Sequence, residues 1–199
     1  KELQKLGCHI WDGNANADYW KPKAKFEGDL GRVYGVQWRS WKSPYTDVPI
    51  DQLTNIINQL KKNPGDRRII ASSWNPAELD MMALPPCHYQ YQVNISEDKL
   101  NLDWTQRSVD TMLGLPFNIA SYATLLHLLA KETGYKEGKL VGFFGDTHMY
   151  VNHLEGAEKQ LSRKLFPLPA IETKNFTSIF DWRYIDTEVL NYQHHPFIK

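Results

Sequence analysis

The chain has 199 residues, of which 42% are hydrophobic, 13% aromatic and 23% charged, a composition that excludes a disordered tail, a collagen-like fibre and a disulfide scaffold. Its 23 Lys and Arg cancel 23 Asp and Glu, so it lacks the basic excess of a protein that grips nucleic acid non-specifically through phosphates. Net charge says nothing of local arrangement, and arginines can still converge on one anionic ligand.

The two cysteines, Cys8 and Cys87, stand far apart without a CxxC pattern. That spacing argues against a structural metal site or a disulfide framework, and for a reducing, cytoplasmic setting. No apolar run approaches the about 18 residues of a membrane span, and no signal-peptide pattern is present. The sequence begins with Lys1 rather than Met, as expected of a processed chain or a portion of a longer one.

Residues 1–49 gather Trp11, Tyr19, Trp20, Phe26, Tyr34, Trp38, Trp41 and Tyr45 among Gly, Asp and Pro, which predicts long loops with short helical pieces. Residues 51–62 place Leu53, Ile56, Ile57 and Leu60 at helical spacing, with Asp51 as N-cap and Asn63-Pro64-Gly65-Asp66 as the stop. Residues 68–74, 89–95 and 99–107 read as strands. Gln90, Gln92 and Asn94 alternate with Tyr91, Val93 and Ile95, giving one polar and one apolar face, and Ser96-Glu97-Asp98 predicts a hairpin. Residues 119–132 predict a long buried helix closed by Gly134. A short strand follows at 140–144, a helix at 153–163, and strand pieces at Ile171 and 179–184 before a Pro/His-rich end. The mixture predicts an α+β fold on a largely antiparallel or mixed sheet, without internal repeat or linker, as one domain over residues 1–199.

Four segments carry residues suited to chemistry. Leu84-Pro85-Pro86-Cys87-His88 holds a thiol at the start of a strand behind two prolines. Beside arginines such a thiol ionises and becomes a nucleophile; away from charge it is a small buried apolar group, and both readings stand. Gln106-Arg107-Ser108-Val109-Asp110 ends a strand with a guanidinium, a hydroxyl and backbone amides, a set that suits phosphate. Arg67-Arg68 offers a second guanidinium pair after a turn, although for any single arginine surface ion pairing is the plainer reading. Asn118, in Gly114-Leu115-Pro116-Phe117-Asn118, is most simply the N-cap of the long helix, but its amide also has the donor and acceptor that read a pyrimidine edge. In Gly145-Asp146-Thr147-His148-Met149-Tyr150, hydroxyl recognition by His148 and Tyr150 competes with metal binding, and zincin spacing is absent.

Taken in order, the stretches IWD, GDLGxVYGxQWR, DRRIIxSxWNPAEL, MALPPCH, QRSxDxxLGLPFNIASYATL, GDTHxYxNH and HPxIK, spread from Ile10 to Lys199, resemble the thymidylate synthase family, to which the deoxycytidylate hydroxymethylases are related. The resemblance implies a mixed sheet with flanking helices that packs back-to-back with that of a second copy in a homodimer. It also implies formation of thymidylate (dTMP) from deoxyuridylate (dUMP), with 5,10-methylenetetrahydrofolate giving carbon and hydride, and no metal.

By motif, Cys87 matches the nucleophile that adds to C6 of uracil, and Asn118 the residue that contacts N3 and O4. Tyr34 and His88 match groups supporting the thiol and C5. Arg107 and Ser108, with Val109 beside them, match the phosphate site of the same subunit, whereas Arg67 and Arg68 match a pair reaching across the dimer interface. His148 and Tyr150 match the holders of the deoxyribose 3′-hydroxyl. Asp110, with Ile10, Trp11, Leu113, Gly114 and Phe117, matches the folate side, Asp110 also facing the catalytic centre. The resemblance further implies an arginine and a glutamate before Lys1 and a closing tail after Lys199. Departures from the family's pattern fall at Arg32, at Lys164-Leu165 and at His194, all expected in loops without functional weight. Two rival readings remain: a deoxyuridylate hydroxymethylase, and an inactive nucleotide-binding homologue.

Overall fold

The computed structural model describes residues 2–198. The N-terminal region is loop-rich, as its composition requires, with short helices α1 (Glu2–Lys5), α2 (Asp12–Ala15) and α3 (Tyr34–Arg39). Helix α4 (Gln52–Lys62) begins as the sequence predicts, the Asp51 carboxylate accepting from the Thr54 N–H. Its Leu53, Ile56, Ile57 and Leu60 are all buried. Strand β1 (Ile70–Ser72) is shorter than the predicted 68–74, because the Arg68 N–H turns away to the Asp66 side chain.

Strands β2 (His88–Ser96) and β3 (Lys99–Asp110) form the predicted hairpin, with Glu97 at positive φ in its turn. A crossover helix α5 (Gly114–Thr133) then returns the chain to β4 (Lys136–His148), which lies parallel to β3. Gly134 closes α5 in the left-handed conformation at φ 79°, which a residue with a Cβ adopts only at a cost. The sheet order is β1-β2-β3-β4, antiparallel but for its last pair, and therefore mixed. Helix α6 (Leu154–Leu161) follows, and strands β5 (Ala170–Thr173) and β6 (Thr187–Leu190) make a small separate sheet.

The predicted strand at 179–184 is absent. Glu132 captures the Ile179 N–H, a turn forms at Ser178–Asp181, and Arg183 and Asp186 cap each other, so pairing passes to β6. Strand β4 is much longer than the predicted 140–144, and the helix at 153–163 is trimmed to α6. Helix α5 starts at Gly114 rather than Ile119, since Asp110 collects the Met112 and Leu113 N–H groups ahead of it. Asn118 therefore lies inside the helix and is not its N-cap.

The two faces of the sheet differ. Tyr91, Val93, Leu100, Leu102 and Trp104 point inward onto α4 and the Tyr122, Leu126 and Leu129 side of α5, forming the main core. The other face carries Gln90, Gln92, Asn94, Asn101, Asp103 and Thr105, joined to Val141 and Phe143 by the β3–β4 register. On that face Phe143 is 55% exposed. No helix among the described residues is long and apolar enough to cross a membrane.

Candidate active site

One end of the sheet gathers most of the predicted chemistry. Strands β3 and β4 run parallel, so their C-terminal ends finish together, and the antiparallel β2 starts at the same end. That arrangement places Cys87 beside Arg107, the Arg107 N–H donating to the Cys87 carbonyl at 2.9 Å. Asp110 pairs with His148 in the β3–β4 register, and the start of α5 follows directly. Ends of parallel strands leave backbone and side chains facing a crevice, where ligands commonly bind.

Cys87 is held from several sides. Pro85 and Pro86 fix the approach, and their carbonyls accept from Arg107 Nη2 and Nε, both at 2.9 Å. The Arg107 guanidinium also lies 5.5 Å from the Trp74 ring centroid. Of its five N–H donors, two are engaged, and the rest remain for an anion beside the thiol. The Cys87 N–H donates to the Tyr34 hydroxyl at 2.9 Å, and the Tyr34 ring stacks on His88 at 4.1 Å. His88 Nδ1 lies 2.8 Å from the Tyr122 hydroxyl. Burial pushes the Tyr34 and Tyr122 phenols up, and it pushes the His88 imidazole down to about 4. His88 is thus neutral near pH 7, able to donate or accept a hydrogen bond without carrying charge.

Asn118 lies in the first turns of α5, which follows the end of β3. Its Oδ1 accepts from Gln106 Nε2 at 3.0 Å; the same nitrogen donates to the Ser108 carbonyl, and Trp104 Nε1 stands 3.3 Å from Gln106 Oε1. These bonds fix which way the Asn118 amide faces and leave its Nδ2 as a donor. Gln106 was not a predicted site residue, yet it is only 3% exposed. Its signal lies in the alternation of β3: it follows Leu100, Leu102 and Trp104 on the buried face, and a polar side chain at an apolar position must have partners.

Around this centre, Asp110 directs Oδ1 to the Met112 and Leu113 amides. Leu113 and Phe117 are exposed beside it, an apolar shelf next to a carboxylate. Val109 is fully buried and lends only backbone to the site. The His148 ring meets the Tyr150 ring edge-on at 5.4 Å, with Asp146 3.3 Å from His148 Nδ1. On the near side Trp11 tilts against Tyr34 at 6.2 Å, and the adjacent Ile10 is exposed.

Arg67 and Arg68 do not join this cluster within one chain. They precede β1 at the level of Gln92, and the Gln92 side chain reaches the Arg67 carbonyl. Gln92 lies four residues along β2 from His88, roughly 13 Å at about 3.3 Å per residue. Arg68 forms a fork with Asp66, at 2.9 and 3.2 Å, and is 87% exposed. The Asp66 carboxyl is held below its usual range by that guanidinium. Both arginines line an open depression with Asn63, Gly65 and Asp66.

Compared with known families, residues 1–199 match the one described as thymidylate synthase. The chain belongs to the thymidylate synthase family. The mixed sheet flanked by helices agrees with that membership, and the thymidylate synthase motifs quoted above supply nearly every polar group at the β3–β4 end of the sheet.

Proposed function

We propose that this protein reductively methylates dUMP to dTMP, taking both carbon and hydride from 5,10-methylenetetrahydrofolate. The observation that carries this reading is the convergence of Cys87, Arg107, Asn118 and His148 at one end of the sheet, each with a hydrogen-bond partner that orients it.

The roles follow from the chemistry of each group. Arg107, with Ser108 next to it, takes the phosphate and so sets the uracil ring beside the thiol. The Cys87 thiolate adds to C6, and the electron pair displaced from the C5–C6 bond makes C5 nucleophilic, with charge building on O4. Asn118 Nδ2 donates to O4, while its oxygen, already accepting from Gln106, has a second lone pair for N3–H. That pattern suits uracil and opposes cytosine, which presents an amino group in place of O4. Neutral His88 and the Tyr34 hydroxyl order the surroundings of C5 without adding charge. His148 and Tyr150 hold the 3′-hydroxyl.

When bound, the folate supplies the one-carbon unit and the hydride; Trp11, Leu113 and Phe117 offer apolar surface for its rings, and Asp110 keeps Oδ2 for a pterin N–H. Arg67 and Arg68 complete the phosphate site of a second copy, because their place in the fold keeps them from their own chain's Cys87. The polar face of the sheet, with Val141 and Phe143, is the surface offered to that copy in a homodimer. Two free thiols fit a reducing cytoplasm.

Incubation with dUMP and the folate, followed by mass analysis, tests the reading. The expected products are dTMP and dihydrofolate in equal amounts. A hydroxymethylated nucleotide without dihydrofolate would assign the chain to the hydroxymethylases, and tight dUMP binding without turnover would make it a nucleotide-binding homologue.

A further inference from the structure

The loop that delivers Cys87, residues 75–87, is fastened to the segment around α3. The Arg32 N–H donates to the Met81 carbonyl at 3.0 Å, and the Ala83 N–H to the Leu30 carbonyl at 3.0 Å. This close approach requires Gly31, at φ 73°, where a Cβ would lie 2.0 Å from the Met81 carbonyl oxygen. Arg32 then adds a side-chain strap. Its Nε donates to Glu78 Oε2 at 2.8 Å, and its Nη2 to the Ser40 carbonyl at 2.7 Å.

Glu78 is the buried anchor of that strap, its side chain only 5% exposed. The same carboxylate oxygen accepts from Gln37 at 2.8 Å and Asn75 at 3.2 Å. Lys42 Nζ stands 3.3 Å from the other oxygen, with its own side chain 61% exposed. Burial alone would push this carboxyl up, but the bonds from Arg32, Gln37 and Lys42, Arg32 foremost, outweigh it and hold the carboxyl below its usual range. Arg32 is thus the main cation of a buried ion pair, with its own side chain 21% exposed.

We propose that Arg32 is a positioning residue for the Cys87 thiol, acting through Tyr34. Its side chain starts ahead of α3 and reaches the helix's C-terminal cap, where the guanidinium bridges the Ser40 carbonyl to the loop's Glu78. Tyr34 opens that helix, and its hydroxyl receives the Cys87 N–H. Helix and loop, locked to each other by Arg32, bring hydroxyl and amide to one fixed separation. Removing the guanidinium leaves the Gln37–Glu78 bond as the side-chain tie between α3 and this carboxylate, so that α3 can shift against the loop, and it takes from Glu78 the nearer of its two cations. Small displacements at a reacting atom cost rate far more than they cost binding.

The proposal leans on the dUMP reading only where turnover is measured, and the thiol itself gives a second readout. In a Cys8→Ser background Cys87 is the sole thiol, and four proteins form a double-mutant cycle: parent, Arg32→Ala, Tyr34→Phe and the pair. Two quantities are read, the rate of Cys87 alkylation by iodoacetamide, and kcat and KM with dUMP. Each single change is expected to shift alkylation at least about threefold in the same direction and to lower kcat about tenfold with KM within about twofold, the double variant being no worse than the worse single one. Additive effects, an effect on KM alone, or no change in either readout for Arg32→Ala would overturn the proposal. A parent without dUMP turnover would count against the function proposed above, and the alkylation cycle would still decide the role of Arg32. Should Arg32→Ala not fold, Arg32→Lys, which keeps the pair with Glu78 but cannot also span to Ser40, enters the same cycle with the same expected pattern.

Discussion

At the end of the sheet where β3 and β4 finish, Arg107 is pinned on the Pro85 and Pro86 carbonyls, Asn118 is turned by Gln106, and the Tyr34 hydroxyl sits on the Cys87 amide. At the far end, Arg67 and Arg68 stand in solvent, with the Arg68 guanidinium forked onto Asp66. The contrast separates two ways of presenting cations to an anion. Groups bound to backbone are ordered before a ligand arrives, so little freedom is lost on binding. Exposed arginines on a turn keep their freedom and can be directed at a ligand held by another body. In this molecule the first kind surrounds the thiol and the second faces outward.

The sharpest break of that contrast is at the ordered end. Cys87→Ser is expected to lower turnover by about 10⁴-fold or more while dUMP binding, followed by calorimetry, stays within a few-fold, since the nucleophile contributes to the reaction and not to the grip on phosphate. Next in size is Arg107→Ala, which removes the anchors of the Cys87 loop together with the proposed phosphate contact; kcat/KM should fall about 10²–10³-fold. Arg107→Lys should recover little of it, because an ammonium cannot hold two carbonyls and an anion at once. Gln106→Met keeps the buried volume but frees the Asn118 amide, and kcat is expected to drop about tenfold or somewhat more with the melting temperature little changed.

His88 gives a stability signature of the same end. Burial sets its pKa at about 4 against 6.5 for the free side chain. The unfolded chain therefore takes up a proton near pH 6.5 that the folded chain refuses until about pH 4. Folding stability contributed by this residue is lost as pH falls through that window, by up to roughly 3 kcal/mol. Urea unfolding between pH 4 and 7 should show a shallower pH dependence for His88→Gln than for the parent. The smallest effect belongs to the far end: Asp66→Ala releases Arg68, and KM for dUMP should move less than about threefold, because the guanidinium is 87% exposed and solvent screens it whether or not it is paired.

How much of this was legible in the sequence depends on where the controlling contact lies. Helix α4 was readable because its signals are local: Asp51 at the start, four apolar residues at helical spacing, and a stop at Asn63-Pro64. The β2–β3 hairpin was readable for the same reason. The 179–184 strand failed because a carboxylate on α5, Glu132, far away in sequence, captured its backbone. Asn118 failed as an N-cap because Asp110 had already satisfied the helix start. The family motifs named the residues of the crevice, and the fold shows why they meet, through a parallel pair of strands whose ends coincide. Arg32 does lie in a loop, as the sequence implies, and only the folded chain places Glu78 against its guanidinium. Gln106 was recoverable from strand alternation alone.

The central claim is that one chain orders half of an anion site around Cys87 and offers the other half to a second copy. Mixing two inactive proteins tests it most directly: Cys87→Ser, with its arginines intact, and a double variant of Arg67→Ala and Arg68→Ala, with its thiol intact. After dissociation and random reassociation in equal amounts, half of the dimers are mixed, and each mixed dimer holds one complete site and one lacking both thiol and partner arginines. The account predicts recovery to about one quarter of the parent's dUMP turnover, the share of complete sites under random pairing. Turnover that stays at the level of the two separate variants, with mixed dimers formed, would contradict it.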